Sequence, residues 1–293
     1  MRRYAYYPGC SLESLAQGYN LSTAEVAGAL GLELNEIKDW NCCGATAYFP
    51  VDELLAHTLV ARNLALAEKG GMSDFVAPCS ACYKNAYFTN KYLRQDHDLA
   101  EHVNYALEAD HLHVDGNLQV RHLIEVFLED VGLEAIGRHA SRPLKGLKVA
   151  PYYGCQLLRP RKDHEDTENP RFFEDLLSAI GAEPVPYTSK TRCCGGSLIV
   201  TNRKAALDMV RILLEDAATH QADVIATVCP MCNVNLEVYQ TQVNREFGTE
   251  FSVPVMYFTQ LMGVAFGLRP DRLGIGKEMV SGAPLLAFAE ASK

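Results

Sequence analysis

The residues of this chain whose types and spacing can do chemistry are ten cysteines in an ordered pattern. Cys10 is followed after 31 residues by the adjacent pair Cys42 and Cys43, after 35 more by Cys79, and after two more by Cys82. The order recurs as Cys155, 37 residues, Cys193 and Cys194, 34 residues, Cys229, two residues, and Cys232. Every cysteine is used. The two copies are offset by 145 residues at the first member, 151 at the adjacent pair and 150 at both members of CxxC. The surrounding letters repeat too: YYPGC at 6–10 answers YYGC at 152–155, CCGAT answers CCGGS, and APCSACYKN at 77–85 answers VCPMCNVN at 228–235. Such a repeat indicates a duplicated unit.

Five disulfides would suit a small secreted chain short of core, and neither condition holds. A chain of 293 residues buries a substantial core, and MRRYAYYPGC breaks too early for a signal peptide. On the residues alone three uses of the thiols stay open: metal or iron-sulfur binding, metal-free redox chemistry, or a duplicated fold in which a set merely packs. Crowded thiolates repel one another, so a cation or an iron-sulfur core supplies the electrostatic reason to gather them. Zinc takes four ligands, so a set of five either leaves one cysteine outside the coordination sphere or serves a different core. The spacing also differs from the compact ferredoxin run. Gly44, Gly195 and Gly196 are expected to let backbone approach closely, with N–H groups donating to sulfur.

The elements that must position these thiols follow from short apolar runs. RRYAYYPG and LKVAPYYG read as strands that deliver Cys10 and Cys155 at their C-terminal ends, and MSDFVAP and DVIATVC do the same for the CxxC pairs. Segments 32–37 and 183–187 are third-strand candidates. Val51 to Lys69 reads as a helix with Val51, Leu55 and Leu59 on its apolar face and Gly70-Gly71 as its stop. Asn202 caps a helix from Arg203 to about Thr219, with Leu207, Val210 and Leu214 as its stripe. Helices starting near Cys82 and Cys232 bring positive dipole ends to the thiols. Strands alternating with helices predict an α/β fold, a mostly parallel sheet with helices outside. The break SRPLKGL at 141–147 divides a first unit, 1–145, from a second, 146–293. The charged insertion RPRKDHEDTENP, 159–170, reads as a solvated loop or the border of a partner surface.

The net charge of 27 − 36 = −9 argues against non-specific binding to nucleic acid, and no partner of that class is expected. No run is long enough to span a bilayer. His97, His102, His111 and His113 lack the further ligands of a metal site. Tyr6, Tyr7, Tyr152 and Tyr153 precede the first cysteine of each set and read as packing or hydrogen-bonding residues, as do His122 and Tyr257 in VRHLIEVF and VMYFTQLM. No G-x-G-x-x-G fingerprint or P-loop is present.

The doubled C, CC, CxxC pattern resembles the B subunit of heterodisulfide reductase and its relatives, the family defined by the cysteine-rich CCG domain. The resemblance covers nearly the whole chain. It implies two pseudo-symmetric Rossmann-like CCG units, with mostly parallel sheets flanked by helices. It further implies two non-cubane 4Fe-4S clusters. Their ligands would be Cys10, Cys42, Cys43, Cys79 and Cys82 in one set, and Cys155, Cys193, Cys194, Cys229 and Cys232 in the other. The implied activity is reduction or formation of a disulfide at the paired clusters, in the methanogen enzymes the mixed disulfide of coenzyme M and coenzyme B. The implied partners are the A and C subunits, or equivalent flavin and iron-sulfur proteins, with any FAD on a partner and a disulfide or thiol as substrate. The alternative role is a non-catalytic electron-transfer or docking subunit that links flavoprotein and quinone-associated redox partners. The expected location is cytoplasmic, with membrane attachment only through partners. Two stretches depart from the methanogen pattern: CCGA stands in place of CCPA, and CSAC in place of CNGC. These changes beside the thiols separate family from substrate.

Overall fold

Strands made of consecutive Tyr, Val, Ile and Ala can hide both faces only if helices cover both sides of the sheet. The computed structural model, which describes residues 2–45, 47–158 and 166–290, has this arrangement twice. The first half runs β1 (Arg3–Tyr6), α1 (Gln17–Ala29), β2 (Glu33–Glu36), α2 (Glu53–Lys69), β3 (Asp74–Ala77), α3 (Ser80–Gln95), α4 (His97–Leu107), β4 (Gln119–His122), α5 (Leu123–Val126) and α6 (Leu133–His139). The second runs β5 (Lys148–Tyr152), α7 (Phe172–Ala179), β6 (Glu183–Pro184), α8 (Leu198–Thr201), α9 (Arg203–Thr219), β7 (Val224–Thr227), α10 (Pro230–Val238), α11 (Gln240–Phe247), β8 (Val255–Tyr257), α12 (Phe258–Ala265) and α13 (Ala283–Glu290).

The two four-stranded sheets have equivalent orders, β2-β1-β3-β4 and β6-β5-β7-β8, and every ladder is parallel. Phe75 lies opposite Val120 in one sheet and Ala226 opposite Met256 in the other. The fold is therefore the α/β class expected, two mostly parallel sheet units flanked by helices. All the anticipated strands form, although β6 is reduced to two residues. Segment 141–147 runs as bend, turn and coil between α6 and β5. The core does not stop there: buried side chains from Tyr4 to Ala289 form one cluster. Of the insertion 159–170, residues 159–165 lie outside the described residues.

Helix α9 forms as its sequence predicts. The Asn202 side chain accepts from the Ala205 N–H, and Leu207, Val210 and Leu214 are buried. Helix α2 requires a correction. It starts after Asp52, whose carboxylate accepts from the Leu55 N–H, so Val51 is outside the helix. Val51 and Leu55 are exposed, and the buried face is instead Ala56, Val60, Ala61, Leu64, Ala65 and Ala67. This face packs on α3 and α4, where small residues let backbones come close.

Candidate metal centre

Parallel strands end together, so loops at their carboxyl ends converge. Cys10 follows β1, Cys79 follows β3, Cys155 follows β5 and Cys229 follows β7. The adjacent pairs sit on the loops that follow β2 and β6. None of the ten cysteines is held in a disulfide. Their burial repeats between halves: the second member of each adjacent pair and both CxxC cysteines are buried. Cys10 and Cys42 are exposed, while Cys155 and Cys193 are half-buried.

Sulfurs meet in pairs. Cys10 and Cys42 are 3.7 Å apart, Cys43 and Cys82 3.3 Å, and Cys194 and Cys232 3.6 Å. Across the halves, Cys79 and Cys229 are close enough to shift each other's ionisation. A backbone N–H points at sulfur in the second adjacent-pair loop, where Gly195 donates to Cys193 at 3.4 Å. The backbone at Gly44, Ala45 and Gly196 acts to lower the ionisation of Cys42, Cys43 and Cys194. Helices α3 and α10 begin with Cys79 and Cys229 as their N-caps and carry Cys82 and Cys232 in the first turn, so both positive dipole ends face the thiols.

These groups titrate together. Hydrogen bonding with Cys10 and Cys43, together with the Gly44 backbone, holds Cys42 well below the usual thiol value. The thiols of Cys232 and Cys79 likewise hold Cys229 down. Their neighbours move the other way. Cys43 is pushed up to about 11 by the Cys42 thiol, and Cys194 to about 12 by Cys193, with burial adding to both. Each set thus gathers more sulfur than it can ionise without a compensating cation.

The adjacent-pair loops are held by two asparagines that sequence reasoning missed. Asn85 donates its amide to the Cys43 carbonyl at 3.2 Å and the Ala45 carbonyl at 2.7 Å. Asn235 donates to the Cys194 carbonyl at 2.9 Å and the Gly196 carbonyl at 3.0 Å. Both asparagines are buried, three residues after the second cysteine of CxxC. The signal was present in the matched stretches, which both end on Asn. Tyrosines tie down the residue before each adjacent pair: Tyr7 donates to the Asn41 carbonyl at 2.8 Å and Tyr152 to that of Arg192 at 2.7 Å. Tyr6 and Tyr153 instead bond to Asn20 and Glu174.

The expected glycine roles also shift. A Cβ on Gly44 would meet the Tyr48 ring, on Gly195 it would meet Ala206, and on Gly196 the Met231 sulfur. The Gly195 N–H reaches the Cys193 sulfur, but the close approach of backbone to cysteine occurs elsewhere. A Cβ on Gly9 would stand 3.0 Å from the Cys82 sulfur, and one on Gly154 would stand 3.1 Å from that of Cys232. Both glycines have positive φ.

A cavity of about 250 Å³ is lined by all five cysteines of the second set, by Met231 and Leu198, and by Ala81 from the first CxxC. The first CxxC loop therefore contributes to the wall of the second set's cavity. The remaining candidates stay apart from this centre. His97, His102 and His113 line a separate surface cavity, and exposed His113 pairs with Asp115. His122 is buried and caps α5, with burial pushing its imidazole down to about 4. Tyr257 occupies the matching position before α12, and its hydroxyl has no partner.

Among the described residues no group of three or more His, Cys, Asp or Glu side chains is arranged to hold a single metal ion. The donor chemistry nonetheless suits a larger core. Zinc needs its ligands around one point, whereas a multi-iron core takes thiolates at separate metal atoms. Paired thiols with an N–H donor at Cys193 fit the second arrangement.

A family model for the cysteine-rich domain CCG matches residues 4–85 and 149–237, the two segments that carry the cysteine sets. The chain is 32% identical to the membrane anchor subunit of 8-methylmenaquinol:fumarate reductase from Wolinella succinogenes, over 97% of this chain and 99% of that one. It is also 32% identical to the B subunit of ferredoxin:CoB-CoM heterodisulfide reductase from Methanosarcina mazei, over 98% of this chain and 97% of the relative. Among solved structures, a hypothetical protein from Helicobacter pylori matches with a TM-score of 0.77 at 13% identity. That match covers 95% of this chain but 52% of the other, and it speaks to fold alone.

Proposed function

Because the chain belongs to the cysteine-rich CCG domain family and is homologous to the B-type subunits of heterodisulfide reductases, we propose that it is the iron-sulfur subunit of an oxidoreductase complex, where it reduces or forms a disulfide. Each unit, 1–145 and 146–293, holds one non-cubane 4Fe-4S cluster. Cys10, Cys42, Cys43, Cys79 and Cys82 are the ligands of the first cluster; Cys155, Cys193, Cys194, Cys229 and Cys232 are those of the second. The observation that carries this reading is the repetition of five cysteines, none in a disulfide, at equivalent places in both halves, with Cys79 and Cys229 of the two sets close enough to shift each other's ionisation.

When bound, such clusters supply one-electron steps and iron that can take up sulfur. The chain's own residues do the rest. The backbone of the adjacent-pair loops and the N-termini of α3 and α10 stabilise negative charge on sulfur. Asn85 and Asn235 fix those loops, and Tyr7 and Tyr152 are buried beside the thiols. Electrons would come from flavin and iron-sulfur partner proteins, with any FAD on a partner. Leu15, Val51, Leu54 and Leu55, on the stretches that follow Cys10 and the Cys42–Cys43 pair, are exposed.

A second reading is favoured by the Wolinella relative, whose name describes a membrane anchor subunit of a quinol-linked reductase. In that role the chain relays electrons between a flavoprotein and a quinone-associated partner without processing a disulfide. Among the described residues no helix is long and apolar enough to cross a membrane, so any such attachment would be made through a surface or a partner. Anaerobic turnover with the partner complex separates the readings. Thiol release from a low-molecular-weight or protein disulfide, in step with donor oxidation, supports the first. Electron flow to a quinone analogue with no thiol formed supports the second.

A further inference from the structure

Tyr19 sits on α1, fully buried where the two halves meet. Its hydroxyl lies 3.0 Å from the Pro78 carbonyl and 3.2 Å from the Val228 carbonyl. Pro78 and Val228 are equivalent residues 150 positions apart, each directly before the first cysteine of its CxxC pair. One O–H thus serves the same carbonyl in both halves, directly before Cys79 and Cys229. No tyrosine stands at 164–170, the corresponding stretch of the second half, so the device exists once and lies between the copies.

The ring has little freedom to leave this position. It stacks on Tyr257 with centroids 4.3 Å apart and planes 6° from parallel, and it meets Phe258 edge-on. One turn along α1, Ser22 bonds Thr259 of α12 at 2.6 Å. At the same crossing, a Cβ on Gly18 would stand 3.3 Å from the Gly274 carbonyl oxygen. Helix α1 of one half is thereby fixed on α12 of the other, and the Tyr19 hydroxyl is delivered to both CxxC loops.

We infer that Tyr19 is a positioning residue that ties the two CxxC loops to each other and so sets the separation of the two cysteine sets. This rests on the two-cluster reading for its redox consequence but not for its geometry. With its ends held by a rigid strap, the pair of clusters acts as one redox unit rather than as two independent centres.

The test compares Tyr19→Phe with the parent holoprotein by two readouts. In hydrogen exchange followed by mass spectrometry, peptides spanning residues 75–85 and 225–235 are expected to exchange about 5–10-fold faster in the variant, both together, because one lost hydroxyl frees both loops. In electron paramagnetic resonance with both clusters paramagnetic, each cluster's own g values are expected to persist while the spin coupling between clusters changes. Faster exchange confined to α1, or unchanged coupling at equal iron content, would overturn the inference. Tyr257→Phe is the control, since it keeps the stack and removes a hydroxyl without a partner; an equal loosening of both loops there would also overturn it. If the parent holds fewer than two clusters, the two-cluster reading fails, and the exchange readout still decides the role of Tyr19.

Discussion

The buried amide of Asn235 donates to the Cys194 carbonyl at 2.9 Å, and Asn85 does the same for Cys43 on the other side of the molecule. Each asparagine bonds the turn that presents the adjacent cysteines, so each governs one set. Asn235→Ala is expected to leave the buried Cys194 carbonyl and the half-buried Gly196 carbonyl without this donor, at a cost of about 1–3 kcal/mol. Iron should fall to about half, with only the second set's signal lost. Iron analysis and resonance spectra of Asn85→Ala and Asn235→Ala check this, and the two variants should lose opposite signals.

Gly9 and Gly31 share the same φ of +72°, but a Cβ on Gly9 would meet the Cys82 sulfur at 3.0 Å while Gly31 has nothing within 4 Å. Gly31→Ala therefore isolates backbone strain, about 1–2 kcal/mol. Gly9→Ala carries the same strain and also displaces a thiol. Urea midpoints should fall in both variants, and iron should fall in Gly9→Ala alone.

Arg121 anchors the strand that leads to Cys79. Buried in β4, it reaches Asp74 at 2.6 Å and Asp130 at 2.7 Å. Burial opposes ionisation of Asp130, but hydrogen bonds from Arg121 and Tyr4 outweigh it and hold the carboxyl below its usual value. A depressed carboxyl stabilises the fold above the unfolded-state pKa, about 3.9, and that stability is lost as pH falls through the lower folded value. Arg121→Met should cost about 3–5 kcal/mol near pH 7, because buried Asp74 loses its ion-pair partner and Asp130 keeps only Arg2. The deficit should shrink on acidification as Asp130 takes up a proton. A deficit that stays constant with pH, measured by denaturant titration, would contradict this account.

Metal removal should expose the thiols in order. Cys10 and Cys42 are exposed, whereas Cys43, Cys79 and Cys82 are buried. After chelation under mild oxidation and brief alkylation, mass mapping should find Cys10 and Cys42 modified first. Equal labelling of Cys10 before and after iron release would remove it from the ligand set.

The cysteine repeat and the strands were legible in sequence because both are local: spacing fixes the first, and short apolar runs ending in Pro, Gly or Cys fix the second. Helix α9 was legible for the same reason, since Asn202 and three large aliphatics mark its start and its buried face. The face of α2 was not. It packs through Ala56, Ala61 and Ala65, which carry little hydropathy, while the conspicuous Leu54 and Leu55 face outward beside the thiol loops. Gly9 and Gly154 were passed over because their crowding comes from cysteines about 75 residues away in sequence, 73 for Gly9 and 78 for Gly154. Tyr19 was invisible for the deepest reason: its two acceptors lie in different halves, brought together only when α1 crosses onto α12.

The most direct test of the central claim is iron and acid-labile sulfide per chain after anaerobic purification, with resonance spectra of the oxidised and reduced protein. Two cluster-binding sets predict about eight iron and eight sulfide per chain, and signals from two centres. Stoichiometric zinc with no labile sulfide, or a chain that folds and binds no iron, would contradict it.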